Sequence, residues 1–301
     1  MATLTRPAGA LQPATTRGLS AQRRRRRRAG LVVAYTLLTI GGLVAFLPFL
    51  WLLSSSLKAS NEVFVYPPQW LPNPVRWANY AQVFSEVPVV LYARNTLTIT
   101  VLALIGTVCS SIISAYAFAR LRWPGRDICF ALILATLMLP YAVTLIPVFI
   151  LFRDLHWVDT FLPLIVPAWF GGGAFNIFLL RQFLLTIPME LEEAARIDGA
   201  SSWTILRQII VPLARPAIAV VAIFGFQYHW NDFLAPLIFL NSNDKWTLAL
   251  GLNSLQGLEW GRDTTNLIMA MSVMMIVPVV VLFLLAQRTF IQGIVLTGLK
   301  G

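Results

Sequence analysis

Side chains able to do chemistry are sparse in this chain. His156 and His229 have no second histidine and no carboxylate cluster at ligand spacing, which argues against a metal site. Nor do they assemble the His, Glu and Asp set that a membrane-embedded enzyme would need at one face. No GxxxxGK[ST] phosphate loop is present, and the glycines of GGGAFN at 171–176 are followed by no lysine, so ATP chemistry is not expected in this chain. Two polar groupings remain. The first is EEAARIDGASSWTILRQIIVP at 192–212, an acidic, helix-breaking stretch between two very apolar segments. The second is GFQYHWND at 225–232, where Gln227 and Asn231, and likewise Tyr228 and Asp232, fall four apart and so share helix faces. Amides and aromatic rings suit a neutral, hydroxyl-rich solute, although the same groups would serve equally to pair helices.

The elements that hold these residues follow from composition. Hydrophobic residues make up 57% of the chain, mean hydropathy is +0.72 and only 12% of residues are charged, against about 45–50% apolar content in a soluble domain. Six apolar runs, at 31–53, 95–119, 128–152, 161–185, 216–240 and 266–287, are each long enough to cross a hydrocarbon core of about 30 Å as a helix. The expected fold is an all-α membrane protein with six transmembrane helices. With the N-terminus inside, 17 of the 23 Lys and Arg residues are cytoplasmic: eight before the first span, three at 120–126, four at 181–215 and two after the last span. That excess sets orientation, so the N- and C-termini are both cytoplasmic and the 192–212 stretch faces the cytosol.

Residues 1–30 form a basic tail carrying RRRRRR at 23–28, with 1–22 expected to be disordered. A basic block directly before a first span fixes orientation and holds anionic headgroups, so its expected partner is membrane lipid, with no nucleic acid implied. The apolar run that follows exceeds the roughly 7–15 residues of a signal-peptide core, so the first span is expected to stay. Residues 31–301 then form one transmembrane domain. External segments are expected at 58–94, 153–160 and 241–265; the first contains YPPQWLPNP at 66–74 and is too short for a catalytic domain. Cys109 and Cys129 fall at different depths, which argues against a disulfide and leaves both as small packing residues.

In the cytosolic segment at 186–215, Pro188 can open a helix with Glu190, Glu192 and Glu193 near its positive end. Gly199 is the expected stop. Ser201 or Ser202 then caps a second helix whose Trp203, Leu206, Ile209 and Ile210 repeat at spacings of three and four before Pro212. Residues 188–199 carry four acids against one arginine, an excess that anionic lipid would repel. Docking on a cytosolic protein explains that acidity better than lying on the bilayer does.

Glu193, Ala194 and Ala195, then Gly199 after three residues, Ile209 after nine more, and finally Val211 and Pro212, resemble the EAA loop of ATP-binding-cassette importer permeases; Val211 departs from the family's usual leucine. RQFLLTIPMELEEAARIDGAS at 181–201, WNDFLAPL at 230–237 and QRTFIQGIVLTGLKG at 287–301 are similar to the carbohydrate-uptake branch, type I importers typified by the smaller permease of maltose transporters. The resemblance implies a coupling helix seated in a cleft of a separate ATPase. In it Glu193 and Asp198 make polar contacts, Ala194 and Ala195 allow close approach and Gly199 supplies the turn, with Glu192, Ile209 and Pro212 completing the coupling set. The implied partners are a second related permease, two ATPase subunits that use ATP and Mg, and an extracytoplasmic solute-binding protein. The implied function is import of a sugar or oligosaccharide by alternating access, with a polyol phosphate as the alternative solute.

Along the solute path the candidates are Asn176, Gln227, Tyr228, Asn231 and Asp232. The glycines at 171–173, with Asn176, either break the fourth span around a site or let helices pack closely, and packing is the commoner use. Pro140 and Pro147 are expected to kink the third span. An ion-coupled secondary transporter would require charge buried at mid-membrane, whereas Asp232, near the outer end, is the only acid within the spans. No Lys or Arg lies inside a span away from its ends, which favours a neutral sugar.

Overall fold

The computed structural model describes residues 16–257 and 263–298. Its regular structure is helical, with no strand among the described residues. The chain divides between Leu52 and Leu53 into two units.

The first unit is most of helix α1, Thr16–Ser56. From Arg28 onward α1 is apolar enough to cross a membrane, and it presents Leu37, Leu38, Val44 and Phe46 as exposed side chains on successive faces. A helix that is apolar all round is made for lipid or for partner helices. Residues 16–22, expected to be disordered, are helical. Arginine is a good helix former, and the run at 23–28 is continuous with the apolar span, so a helix nucleated there extends at little cost. Residues 1–15 of the expected disordered tail lie outside the described residues.

The second unit contains α2 (Ala78–Glu86), α3 (Val89–Arg120), α4 (Arg126–Thr136), α5 (Tyr141–Asp154), α6 (Leu162–Ile165), α7 (Ala174–Leu184), α8 (Glu190–Ile197) and α9 (Ser202–Ile205). It continues with α10 (Val211–Leu213), α11 (Arg215–Trp230), α12 (Leu234–Phe239), α13 (Leu248–Gly257) and α14 (Thr265–Gly298). The central element is α3, which packs on α11, on α7 and on the 3-10 turn Val166–Trp169, while α14 packs on α11 and α2. Its buried positions include Ala103, Thr107, Ser111 and Ala115; small residues let helices approach closely where lipid removes the hydrophobic drive to associate. One buried cluster joins Ile112, Ala115 and Tyr116 of α3 to Leu180 and Leu184 of α7 and to Ile205 and Ile210. A second joins Val83, Tyr92, Trp230, Leu255, Leu267 and Met271 at the opposite end.

Four helices are long and apolar enough to span a membrane, at 28–56, 89–120, 162–184 and 265–287, and two bent pairs raise the number to six if each pair is one span. The third expected span is broken rather than kinked. α4 and α5 meet at 101°, with Pro140 as the N-cap of α5; proline has no N–H to continue the ladder and keeps the residue before it out of helical geometry. Pro147 lies inside α5. The fifth span, expected at 216–240, is also segmented, because α11 ends at Trp230 before α12 begins; the run at 202–213, from the segment expected in the cytosol, meets the start of α11 at 79°. In the fourth span Gly171, Gly172 and Gly173 all have positive φ. Packing alone was the favoured role of these glycines. Gly172 serves both roles, because a Cβ there would lie 2.0 Å from Ser111 Oγ and 2.6 Å from the Thr107 carbonyl oxygen.

Two segments expected as external loops contain helices, α2 and α13, each contributing buried residues to the second cluster. Cys109 and Cys129 are free but exposed, not packed inside the chain as expected; on membrane-spanning helices an exposed thiol faces lipid or a neighbouring helix instead of water.

Candidate functional site

Two places carry the residues singled out from the sequence. The first is the turn between α8 and α9. Glu190, Glu192 and Glu193 occupy the first turn of α8, where the helix dipole favours negative charge. Gly199, at φ +82°, ends the helix. Its N–H donates to the Arg196 carbonyl at 3.0 Å, and the Ala200 N–H donates to the Ala195 carbonyl at 2.9 Å; this pair of bonds satisfies the last carbonyls of α8 and reverses the chain. Ser201 Oγ then accepts from the Thr204 N–H at 3.2 Å and caps the next helix.

That next helical run, 202–213, departs from the expected periodicity. A π-turn at Leu206–Ile210 widens the helix, so the buried residues are Ile205, Leu206 and Ile210. Ile209 is half-buried, Pro212 is exposed, and Trp203, expected on the apolar face, is 61% exposed. The exposed face of the turn therefore comprises Glu193, Ala194, Ile197, Asp198, Gly199 and Trp203, with Ile197 at 87% exposure. Ala195 is partly buried against the first core cluster.

Glu192 points the other way. It is fully buried, and its Oε1 pairs with Arg120 Nε at 2.9 Å. The Tyr116 hydroxyl lies 3.5 Å from Oε2, and Arg196 Nη2 approaches the same oxygen to 3.7 Å. Arg120, in the last turn of α3, also donates from Nη2 to the carbonyls of Leu184 and Ile187 at 2.6 Å each, and from Nη1 to Met189 Sδ at 3.1 Å. One guanidinium thus joins the end of α3, the last carbonyl of α7, the Ile187 carbonyl just beyond it and the start of α8, with cation meeting helix C-terminus as the dipole favours. Glu192, a member of the expected coupling set, reaches inward, away from the exposed face of the turn. Arg120 was read only as a topology-setting charge, and no local signal in the sequence marks it as the partner of a residue 72 positions away.

The second place is a half-open cavity of about 620 Å³ lined by α3, α5, α6, α7, α11 and α12, within the size range of small-molecule sites. Asn176, Tyr228 and Asp232 line it together with Thr107, Tyr141 and His229. Gln227 and Asn231 do not; they are exposed on the other face of α11, where Asn231 Nδ2 donates to the Gln227 carbonyl at 2.8 Å. The four-residue pairing read from the sequence holds for both pairs, and only one of them faces the cavity. The sequence marks His229 only as a histidine without metal-ligand neighbours. Here its Nε2 lies 3.5 Å from Thr107 Oγ1, and its ring meets Tyr228 edge-on at 5.1 Å. Asp232 Oδ1 accepts from the Ala235 N–H at 3.3 Å and caps α12. Asn176 Nδ2 donates to the Gly172 carbonyl at 2.7 Å, which ties the start of α7 to the glycine break. Aromatic walls come from Phe152, Phe175, Phe224 and Phe239.

The family described as "Binding-protein-dependent transport system inner membrane component" matches residues 106–295, which include both places. The chain is 35% identical over 272 residues to the arabinooligosaccharides transport system permease protein AraQ of Halalkalibacterium halodurans, covering 88% of this chain and 96% of that one. It is 31% identical over 275 residues to the sn-glycerol-3-phosphate transport system permease protein UgpE of Yersinia pestis bv. Antiqua, covering 89% and 97%. Among solved structures, a bacterial ABC transporter involved in the import of the acidic polysaccharide alginate is similar with a TM-score of 0.75 and 26% identity, covering 88% of this chain and 98% of that one. A broken helical fold, a family match over both sites and full-length relatives agree: the chain belongs to the binding-protein-dependent transport system inner-membrane components and is a multi-pass permease of the cytoplasmic membrane.

Proposed function

We propose that this chain is one of two permeases in an ATP-driven importer that moves a sugar or oligosaccharide into the cytoplasm by alternating access. In this reading the two bent helix pairs each count as one span, giving six, and both termini are cytoplasmic. The turn between α8 and α9 lies in the cytosol and seats in a cleft of a separate ATPase subunit. The two ATPases bind and hydrolyse ATP with Mg, and an extracytoplasmic solute-binding protein delivers the solute on the opposite side. Asn176, Tyr228 and Asp232, joined by His229, border the solute path.

The observation that carries this reading is the outward display of Glu193, Ile197, Asp198 and Trp203 on a turn whose base is fixed from inside by Glu192 and Arg120. A mixed acidic and apolar face on a rigid base suits transmission of force from a partner protein, and connection alone would need only a few residues.

The test is ATPase activity of the assembled transporter in proteoliposomes, with and without solute-loaded binding protein. Wild type should be stimulated by loaded binding protein. Gly199→Asp should assemble yet lose that stimulation. Uptake driven by an ion gradient in the absence of any ATPase would overturn the assignment.

A further inference from the structure

We propose that the cavity of this chain is itself a solute subsite, and that the Asp232 carboxylate makes it selective for neutral, hydroxyl-rich sugars over anionic ones. The inference rests on the importer reading and concerns what the pathway in this subunit accepts. Family membership does not decide the point, because similar chains are named for arabinooligosaccharides and for glycerol 3-phosphate, and the similar alginate importer handles an acidic polymer. The lining contributed by this chain carries the inference.

No Lys or Arg lines the cavity, and its charged or titratable members are Asp232, His229, Tyr141 and Tyr228. Asp232 and the two tyrosines reach it from α5, α11 and the break before α12, and no Lys or Arg of the lining faces the carboxylate across the space. Asp232 holds the Ala235 N–H through Oδ1; Oδ2 has no partner among the described residues. A sugar hydroxyl can donate to that oxygen in a charge-assisted bond. The ionised group of a phosphate or uronate cannot, and would place like charges together in a partly dehydrated space. The phenylalanine walls and the Tyr228 ring offer flat apolar surface for the C–H faces of a pyranose or furanose. Thr107, His229 and Asn176 add orienting polar groups, in the pattern of few polar groups on a mainly apolar wall.

The test reads the charge preference of the cavity directly and needs no knowledge of the natural solute. In the assembled transporter in membrane vesicles, with Cys109 and Cys129 replaced by serine, a single cysteine is introduced as Ala235→Cys beside Asp232, and separately as Ala168→Cys across the cavity. Rates of modification by a cationic and by an anionic methanethiosulfonate are compared, each divided by its rate with a free thiol. The cation should be favoured by about tenfold or more at both positions. Adding Asp232→Asn, which keeps the cap on α12 but removes the charge, should bring that ratio close to one. Arabinobiose at millimolar concentration should slow labelling, and digalacturonate should not.

Equal rates for the two reagents, a ratio unchanged by Asp232→Asn, or protection by digalacturonate would each overturn the inference. The importer reading would survive any of these, because it stands on the ATPase measurement. Should Ala235→Cys fail to assemble, the Ala168→Cys ratio alone decides.

Discussion

Arg120 Nε and Glu192 Oε1 sit 2.9 Å apart with both side chains almost wholly out of solvent, so the last turn of α3 and the first turn of α8 are held by one buried ion pair. Glu193, the next residue, is exposed. On the proposed function, the two adjacent glutamates should separate stability from coupling. Glu192→Ala leaves a buried guanidinium uncompensated and should destabilise the chain by about 3–5 kcal/mol. Glu193→Ala should leave unfolding of the purified complex little changed while lowering ATPase stimulation by loaded binding protein. Thermal unfolding in detergent and the ATPase assay, run on the same two variants, check the division; a large loss of stability from Glu193→Ala would contradict it.

Gly199 has open space where a Cβ would stand, yet its φ is +82°. The cost of substitution there is a backbone cost, about 1–2 kcal/mol for a left-handed L-residue. Gly199→Ala should lose that amount, and Gly199→Asn distinctly less, since asparagine enters the left-handed region more readily. Unfolding midpoints of the two variants test the order, and equal losses would point to steric contact instead.

Gly172 behaves differently, because both its conformation and its contacts are restrictive. A Cβ would strike Ser111 Oγ and the Thr107 carbonyl oxygen of α3, and backbone cannot rotate aside. Gly172→Ala should destabilise by about 1–3 kcal/mol through overpacking and should also disturb the cavity, since Asn176 donates to the same residue's carbonyl. Solute uptake should fall more than ATPase turnover.

Away from the α8–α9 turn, Asp159 fastens two loops. It receives hydrogen bonds from the Ser242 hydroxyl, from the Ser242 N–H at 2.9 Å and the Asn241 N–H at 3.0 Å, and it pairs with Lys245 at 2.9 Å. The Ser242 hydroxyl, then the Ser242 N–H, and after them the Lys245 ammonium, hold its carboxyl well below the usual carboxylate range. A depressed folded value means that the carboxylate stabilises the fold at every pH above the ordinary aspartate value of about 3.9, and that this contribution fades as pH falls further, through the folded value. Stability should therefore show no Asp159 dependence between about pH 5 and 8 and should drop in the acid range. Asp159→Asn, which tolerates the φ of 61° found there, should lower the unfolding temperature at pH 7 and weaken the acid-range dependence. A variant with an unchanged midpoint at pH 7 would show that the latch carries no load.

Much of this architecture was legible from composition. Long uncharged runs gave the approximate positions of the helices because a membrane leaves the backbone almost no other choice. The stop at Gly199 and the cap at Ser201 were legible because they are local, each satisfied by bonds a few residues away. What escaped depends on distant chain. Whether Glu192 or Glu193 turns inward is decided by where α3 delivers Arg120. The burial of Ile205 in place of Trp203 depends on a π-turn that no periodicity of 3.6 anticipates. Likewise, Tyr228 and Asp232 meet the cavity while Gln227 and Asn231 do not, because the walls supplied by α3, α5 and α7 lie toward only one of the two pairs.

The three-way grip of Arg120 has a mechanical corollary. Its guanidinium holds the Leu184 and Ile187 carbonyls as well as Glu192, so α8 cannot be displaced without carrying the end of α7 along. α7 is 11 residues long, about 16 Å of helix, and its other end begins at the glycine break and places Phe175 and Asn176 on the cavity wall. The helix is a strut with a pinned foot and a hinged head. In the proposed importer, a push on the α8–α9 turn would reach the cavity wall through Arg120 and α7.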